Sequence, residues 1–160
     1  MVEYKAIGVN MFIIDKYFKV YLKKSLRKYD LNAAEGLVLL VFLKHHNKFT
    51  QNELNEIHKK RLGKTQDEII SELHYDKSVM ARTMQSLESK DYVIRKNNPD
   101  DNRSYIFELT QKAICLKPKL VEILNEWNNT LLQEIDKESA SLVKSQLDKM
   151  VDNIINSDKC

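Results

Sequence analysis

"DKSVMARTMQSLESKDYVIRKNNPDDNRSYIFELT", Asp76 to Thr110, is the stretch that decides the fold. Its hydrophobic period changes partway along. Met80, Met84 and Leu87 recur at i, i+4 and i+7, the spacing of one helix face. Asp76 stands just ahead of them as an N-cap, a carboxylate able to accept from the first free N–H groups of the helix. After Lys90 the pattern shortens to that of strands: "YVIRK" and "RSYIFELT", with Tyr105, Phe107 and Leu109 alternating on one face. Between them "NNPDDN" forms a hairpin tip carrying charge of both signs.

Immediately upstream lies "TQDEIISEL", Thr65 to Leu73. Thr65 and Glu68 have capping-box spacing, in which the hydroxyl and the carboxylate each satisfy the other's backbone N–H. Ile69, Ile70 and Leu73 supply an apolar patch to face Met80, Met84 and Leu87. Two short helices joined by the three residues "HYD" match a helix-turn-helix, and a hairpin directly after it is a wing. The face of the second helix left outside carries Lys77, Ser78, Val79, Ala81, Arg82 and Gln85. It is mixed and not acidic, as a helix reading base edges in a major groove must be. "TQNEL" at Thr50 echoes the same cap and predicts an extra short helix near residues 51–60, stopped by Gly63.

Longer helices flank this unit. The first is predicted over residues 8–28, with Phe12, Ile13, Tyr17, Phe18, Tyr21, Leu22 and Leu26 as its stripe. "NAAE" then pairs Asn32 with Glu35 as a second capping box, opening a helix so apolar ("LVLLVFL", Leu37 to Leu43) that it belongs at the centre of a core. From Gln111 a stripe of Leu116, Leu120, Leu124, Trp127, Leu131 and Ile135 follows, with Pro118 expected to kink or restart the helix. "DKES" at Asp136 to Ser139 breaks it, and a last helix carries Val143, Leu147, Met150 and Ile154. The fold class is therefore mainly α with a small β-hairpin. The terminal helices hold more apolar face than one small lobe needs, so a homodimer pooling both ends is expected.

Composition narrows the function. The chain has 160 residues, 31% of them charged, yet a net charge of only +3, so any nucleic-acid contact must rest on local patches. "LVLLVFL" is far short of the ~20 residues of a spanning helix. The N-terminus lacks the basic start, apolar run and cleavage site of an export signal. No membrane association and a cytoplasmic location are expected. Two cysteines make no disulfide framework, and Cys115 is expected to be a small buried filler. The histidines His45, His46, His58 and His74 lack the spacing of a metal site, so no metal or other cofactor is expected. No nucleophile–base pair, phosphate loop or acidic dyad is present, which argues against an enzyme.

Residues 76–110 resemble the MarR family of bacterial transcriptional regulators. Asp76-Lys77-Ser78 with Arg82 match the start of that family's recognition helix, and Asp101-Asn102-Arg103 with Leu109-Thr110 match its wing. Extended more loosely, the resemblance covers residues 1–160 as a single MarR-like domain. In it, 8–28 and 111–156 would be dimerisation helices and 32–110 the winged helix-turn-helix lobe. It implies a homodimer on double-stranded DNA, acting as a repressor at a palindromic operator. Lys77, Ser78, Val79, Ala81, Arg82 and Gln85 would lie in the major groove and Arg103 in the adjacent minor groove, with Asp101 orienting that arginine. Asp91 stands where the family has a glycine, and aspartate tolerates the left-handed backbone needed there. The segment from His45 to Lys64 is longer than the family's link.

Two readings stay open beside this one. A winged helix can serve as a protein–protein interaction module. The aromatic stripe Phe12, Tyr17, Phe18 and Tyr21, read first as dimer core, could also wall a site for a small aromatic or phenolic effector.

Overall fold

The computed structural model describes residues 3–46 and 63–157, with side chains over 7–43 and 63–157. The elements run in the order α1 (Glu3–Leu26), a 3-10 turn (Arg27–Tyr29), α2 (Ala33–His46), α3 (Gln66–Leu73), α4 (Lys77–Ser89), β1 (Val93–Asn98), β2 (Asp101–Leu109), α5 (Gln111–Leu131) and α6 (Lys137–Ser157). The helix expected near 51–60, its Thr50 cap, and the side chains of His45, His46, His58 and Cys160 lie outside the described residues. Two compact units result, residues 1–123 and residues 124–160.

The first unit is built around α2. Its capping box forms as expected: the Glu35 N–H donates to Asn32 Oδ1 at 2.9 Å and the Asn32 N–H to Glu35 Oε2 at 2.7 Å. Because α2 is apolar all round, it is wrapped on several sides. Val38, Leu39, Phe42 and Leu43 are buried together with Leu22 and Leu26 of α1, Ile69 of α3, Met80, Met84 and Leu87 of α4, Phe107 of β2, and Leu116 and Leu120 of α5. Gly36 allows the closest approach, since a Cβ there would stand 2.5 Å from Leu26 Cδ1.

α1 begins at Glu3, five residues before the expected start. Gly8, expected at its start, lies inside it. A mid-helix glycine costs about 1 kcal/mol, which a helix of 24 residues tolerates. The 3-10 turn that follows α1 ends where Asp30 turns left-handed at φ 56° and its N–H bonds Arg27 O at 3.1 Å.

The hairpin departs from its expected alternation. Ile106 and Phe107 are both buried, and Tyr105 is 52% exposed. The cause is an added backbone partner: Lys64 exchanges two hydrogen bonds with Phe107, at 3.0 and 2.8 Å, so residues 63–64 run along β2. Gly63 serves this approach. A Cβ there would stand 2.9 Å from Phe107 O and 3.0 Å from Ile106 Cβ. Ile106 is thereby covered on the face that alternation assigns to solvent. The strands also reach further than expected, leaving only Pro99 and Asp100 as the turn.

α5 is capped by Thr110, whose hydroxyl accepts from the Ala113 N–H at 3.3 Å, and it continues through Pro118 without restarting. Its buried face is Ala113, Leu116, Leu120 and Ile123. Cys115 lies off that face and is exposed, so it is not a core filler. In the second unit Asp136 caps α6, accepting from the Ser139 N–H at 2.9 Å. No residue of α6 is buried. Among the described residues no helix is long and apolar enough to cross a membrane.

Candidate nucleic-acid interface

The helix-turn-helix is assembled by caps. Thr65 and Glu68 close the predicted capping box on α3, with the Glu68 N–H donating to Thr65 Oγ1 at 3.2 Å and the Thr65 N–H to Glu68 Oε2 at 2.6 Å. His74 ends α3 in the left-handed region, φ 52°, its N–H bonding Ile70 O at 2.7 Å. The chain reverses through Tyr75 and restarts at Asp76. The Asp76 carboxylate accepts from the Ser78 hydroxyl at 2.5 Å and from the N–H groups of Ser78 and Val79 at 2.7 and 3.4 Å. These bonds, the Ser78 hydroxyl foremost, hold its pKa below the ordinary aspartate value. A negative charge fixed at a helix N-terminus also complements the helix dipole.

α4 then divides cleanly. Met80, Thr83, Met84 and Leu87 are buried. Lys77, Ser78, Val79, Ala81, Arg82 and Gln85 are all exposed, so the structure brings the six predicted helix residues onto one solvent-facing surface. Arg82 Nε donates to Ser78 O at 3.3 Å, laying the side chain back along the first turn. Lys77 approaches Asp67 of α3 at 3.8 Å, with both side chains mostly in water, a pairing worth little.

The wing tip is shaped by a residue the sequence did not single out. Asn98 is nearly fully buried; its amide donates to Ser104 Oγ at 2.9 Å and its oxygen accepts from the Asp100 N–H at 3.1 Å. The ladder slips register beside it, between Asn97 and Asn98. Asp101 and Arg103 are both exposed at this tip. The Asp101 carboxylate accepts from the backbone N–H of Arg103 at 3.0 Å, so its contact is with the chain rather than with the guanidinium. Along the strands Arg95 lies over the Tyr105 ring at 4.9 Å and faces Glu88 of α4 at 3.7 Å.

A group read in the sequence only as a cap lies under the far end of α4. Glu35 is completely buried. Its Oε1 accepts from the Ser86 hydroxyl at 2.6 Å, and both its oxygens accept from Lys90 Nζ at 3.0 Å. Burial pushes its pKa up, but the bonds from Ser86, Asn32 and Lys90 outweigh it, and the net direction is down. Its signal in the sequence was an acid opening a helix otherwise apolar on every side; such a group must be buried with the helix and must find a cation.

No protein-family model matches the chain. It is 26% identical over 144 residues to the HTH-type transcriptional regulator BilQ of Clostridioides difficile, covering 89% of this chain and 86% of that one. A MarR transcriptional regulator from Methanosarcina mazei superposes with a TM-score of 0.77 at 24% identity, over 95% of this chain and 98% of that one. The MepR–DNA complex of S. aureus gives 0.74 at 20% identity, over 91% and 96%. The chain thus shares the fold of MarR-type structures along nearly its full length, the winged helix-turn-helix expected around residues 76–110 included.

Proposed function

We propose that this MarR-type winged-helix chain is a sequence-specific DNA-binding transcriptional regulator, working as a cytoplasmic homodimer on a palindromic operator. The observation that carries the proposal is the outward face of α4. Six exposed residues with two cations and two hydrogen-bonding side chains stand on a helix whose opposite face is locked in the core. Arg82 suits the two acceptors of guanine and Gln85 the donor–acceptor edge of adenine, with Ser78 and Lys77 beside them and Val79 and Ala81 available to thymine methyls. Arg103 at the wing tip suits the adjacent minor groove, where narrow A-tracts raise the negative potential. Asp101 acts on it indirectly, by fixing the backbone from which Arg103 projects.

The dimer is supported by apolar surface at both ends. Phe12 and Tyr17 of α1 are 69% and 61% exposed, and Leu142, Val143, Leu147, Val151 and Ile154 of α6 are exposed too. Residues 1–160 then act as one MarR-like domain, with 8–28 and 111–156 as its dimerisation helices. The same exposure favours dimer core over an effector site for Phe12 and Tyr17, whereas Phe18 and Tyr21 pack against the core of the first unit. Repression is what the resemblance adds to this reading, and release by a small aromatic or phenolic ligand is the second reading of the aromatic stripe.

The test is a salt-titrated selection on mixed genomic DNA. A preferred palindrome with a steep salt slope is expected. Salt-insensitive, sequence-indifferent behaviour would overturn the proposal in favour of a protein–protein contact module. On the selected operator, Arg82→Ala is expected to cost about 1–3 kcal/mol at one base position. Arg103→Ala should weaken binding and lower the salt slope by about one per wing. Asp101→Ala should loosen binding despite the added positive charge; tighter binding would show that Asp101 merely repels phosphate.

A further inference from the structure

The two ends of α4 are held very differently. Its N-terminal end, Lys77 to Val79, is exposed, carries Asp76 as its cap, and meets α3 through solvent-exposed contacts, Gln66 Nε2 donating to Lys77 O at 3.5 Å and Lys77 facing Asp67 at 3.8 Å. Its C-terminal end is a junction of four segments. Lys90 Nζ, besides bonding both oxygens of Glu35, donates to Asp30 O at 2.7 Å, so its donors are taken up. Glu35 likewise accepts four times, from Lys90 on both oxygens, from Ser86 on α4 and from the Asn32 N–H. Around this pair, Tyr92 Oη donates to Tyr29 O at 2.8 Å and Lys112 Nζ to Lys90 O at 2.7 Å. The 3-10 turn after α1, the start of α2 and the start of α5 therefore all bear on one end of α4.

A helix gripped more firmly at one end pivots about that end. Its 13 residues span about 20 Å at ~1.5 Å per residue. A swing of roughly 10° about the C-terminal end displaces the N-terminal end by about 3 Å, close to the ~3.4 Å rise of one base pair. Ser78 stands near that end and Arg82 midway along the helix. A change of pitch of this order, taken up by repacking around the buried Met80, is enough to move Ser78 by about one base pair.

We propose that the Glu35–Lys90 pair sets the pitch of α4, making Glu35 and Lys90 positioning residues for operator geometry although neither reaches DNA. This rests on the reading of α4 as the major-groove helix. Burial explains why an ion pair does the work. A fully buried carboxylate has one low-energy arrangement, with its cation and hydrogen-bond donors in place, whereas a methyl packed in the same space slides at little cost.

Two measurements test it. The first needs no DNA. Spin labels at Lys24→Cys and Gln85→Cys, in a Cys115→Ser, Cys160→Ser background, report the distance from α1 to α4. A narrow distribution is expected with the native pair and with Lys90→Arg, and a broad or shifted one with Lys90→Met and with Glu35→Gln, which keeps the hydrogen-bonding shape but not the charge. The second is binding to operators whose half-sites are moved apart base pair by base pair. Native protein and Lys90→Arg should prefer one spacing near a helical turn. Lys90→Met and Glu35→Gln should lose roughly tenfold on that spacing and flatten the preference, with non-specific low-salt binding unchanged. Loss of stability with spacing preference and distance distribution intact would overturn the proposal and leave the pair a plain core contact. Failure of the unsubstituted protein to select any operator would instead overturn the proposed function, and the label distances would still decide whether the pair holds the helix.

Discussion

α5 and α6 are each 21 residues long, each amphipathic, and each opened by a residue whose side chain accepts a backbone N–H three positions on. They differ in what they find. α5 buries Ala113, Leu116, Leu120 and Ile123, whereas α6 buries nothing. The two patterns look alike on paper because an apolar stripe records that a face must be covered, not by which molecule. α5 satisfies its stripe over its first half within the chain. α6 keeps Leu142, Val143, Leu147, Val151 and Ile154 in solvent, a row too long to be incidental.

Removing residues 137–160 is the harshest way to probe this contrast. It takes nothing from the buried core, so a helical first unit should persist in circular dichroism while sedimentation shows the dimer lost and aggregation in its place. A truncated chain that dimerises with unchanged affinity would break the comparison. Next in size is a matched pair of substitutions. Leu120→Ala empties a fully enclosed site and should cost about 2–5 kcal/mol in urea denaturation. Leu147→Ala should move the dimer dissociation constant, with the unfolding midpoint shifting only where it depends on protein concentration. Equal effects of both on both readouts would erase the distinction.

The smallest effect expected is a dependence on pH confined to the first unit. Glu35 has a folded-state pKa below its ordinary value. Its contribution to stability is therefore complete above the ordinary glutamate pKa and is lost as pH falls through the lower folded-state value. Glu35→Gln should be less stable than the native protein near neutrality, and the gap in denaturation midpoint should narrow on acidification. A gap that stays constant from pH 7 to pH 3 would show that the charge contributes nothing.

What was legible in the sequence was local. Asn32–Glu35, Thr65–Glu68 and Asp76 are caps because each satisfies backbone groups within three residues of itself. The face Met80, Met84, Leu87 and the six exposed residues opposite follow from helix geometry alone. What stayed hidden depended on distant chain. Ile106 is buried because residues 63–64 return alongside β2, some forty positions later in sequence. Glu35 meets Ser86 and Lys90 across more than fifty residues, and no periodicity encodes that encounter. Cys115 failed for a simpler reason: a cysteine's preference for the interior yields to its angular position on a helix whose buried face lies elsewhere.

The joint between α4 and the wing has a consequence for sequence drift. Asp91 holds a left-handed backbone, φ 59°, with its N–H on Glu88 O and its carbonyl accepting from the Thr110 hydroxyl at 2.7 Å. No ion pair fastens its carboxylate among the described residues, so chemistry places little demand on what occupies the position. Backbone sterics place a heavier one, since glycine, asparagine and aspartate enter that region at least cost and β-branched residues are the most strained there. The chain accepts a histidine at φ 52° and a glutamate at φ 64° elsewhere, so the demand is graded rather than absolute. Position 91 is thus a surface-exposed spot whose tolerance is set by backbone shape and not by side-chain chemistry: drift there should favour small polar residues and glycine and avoid valine, isoleucine and threonine.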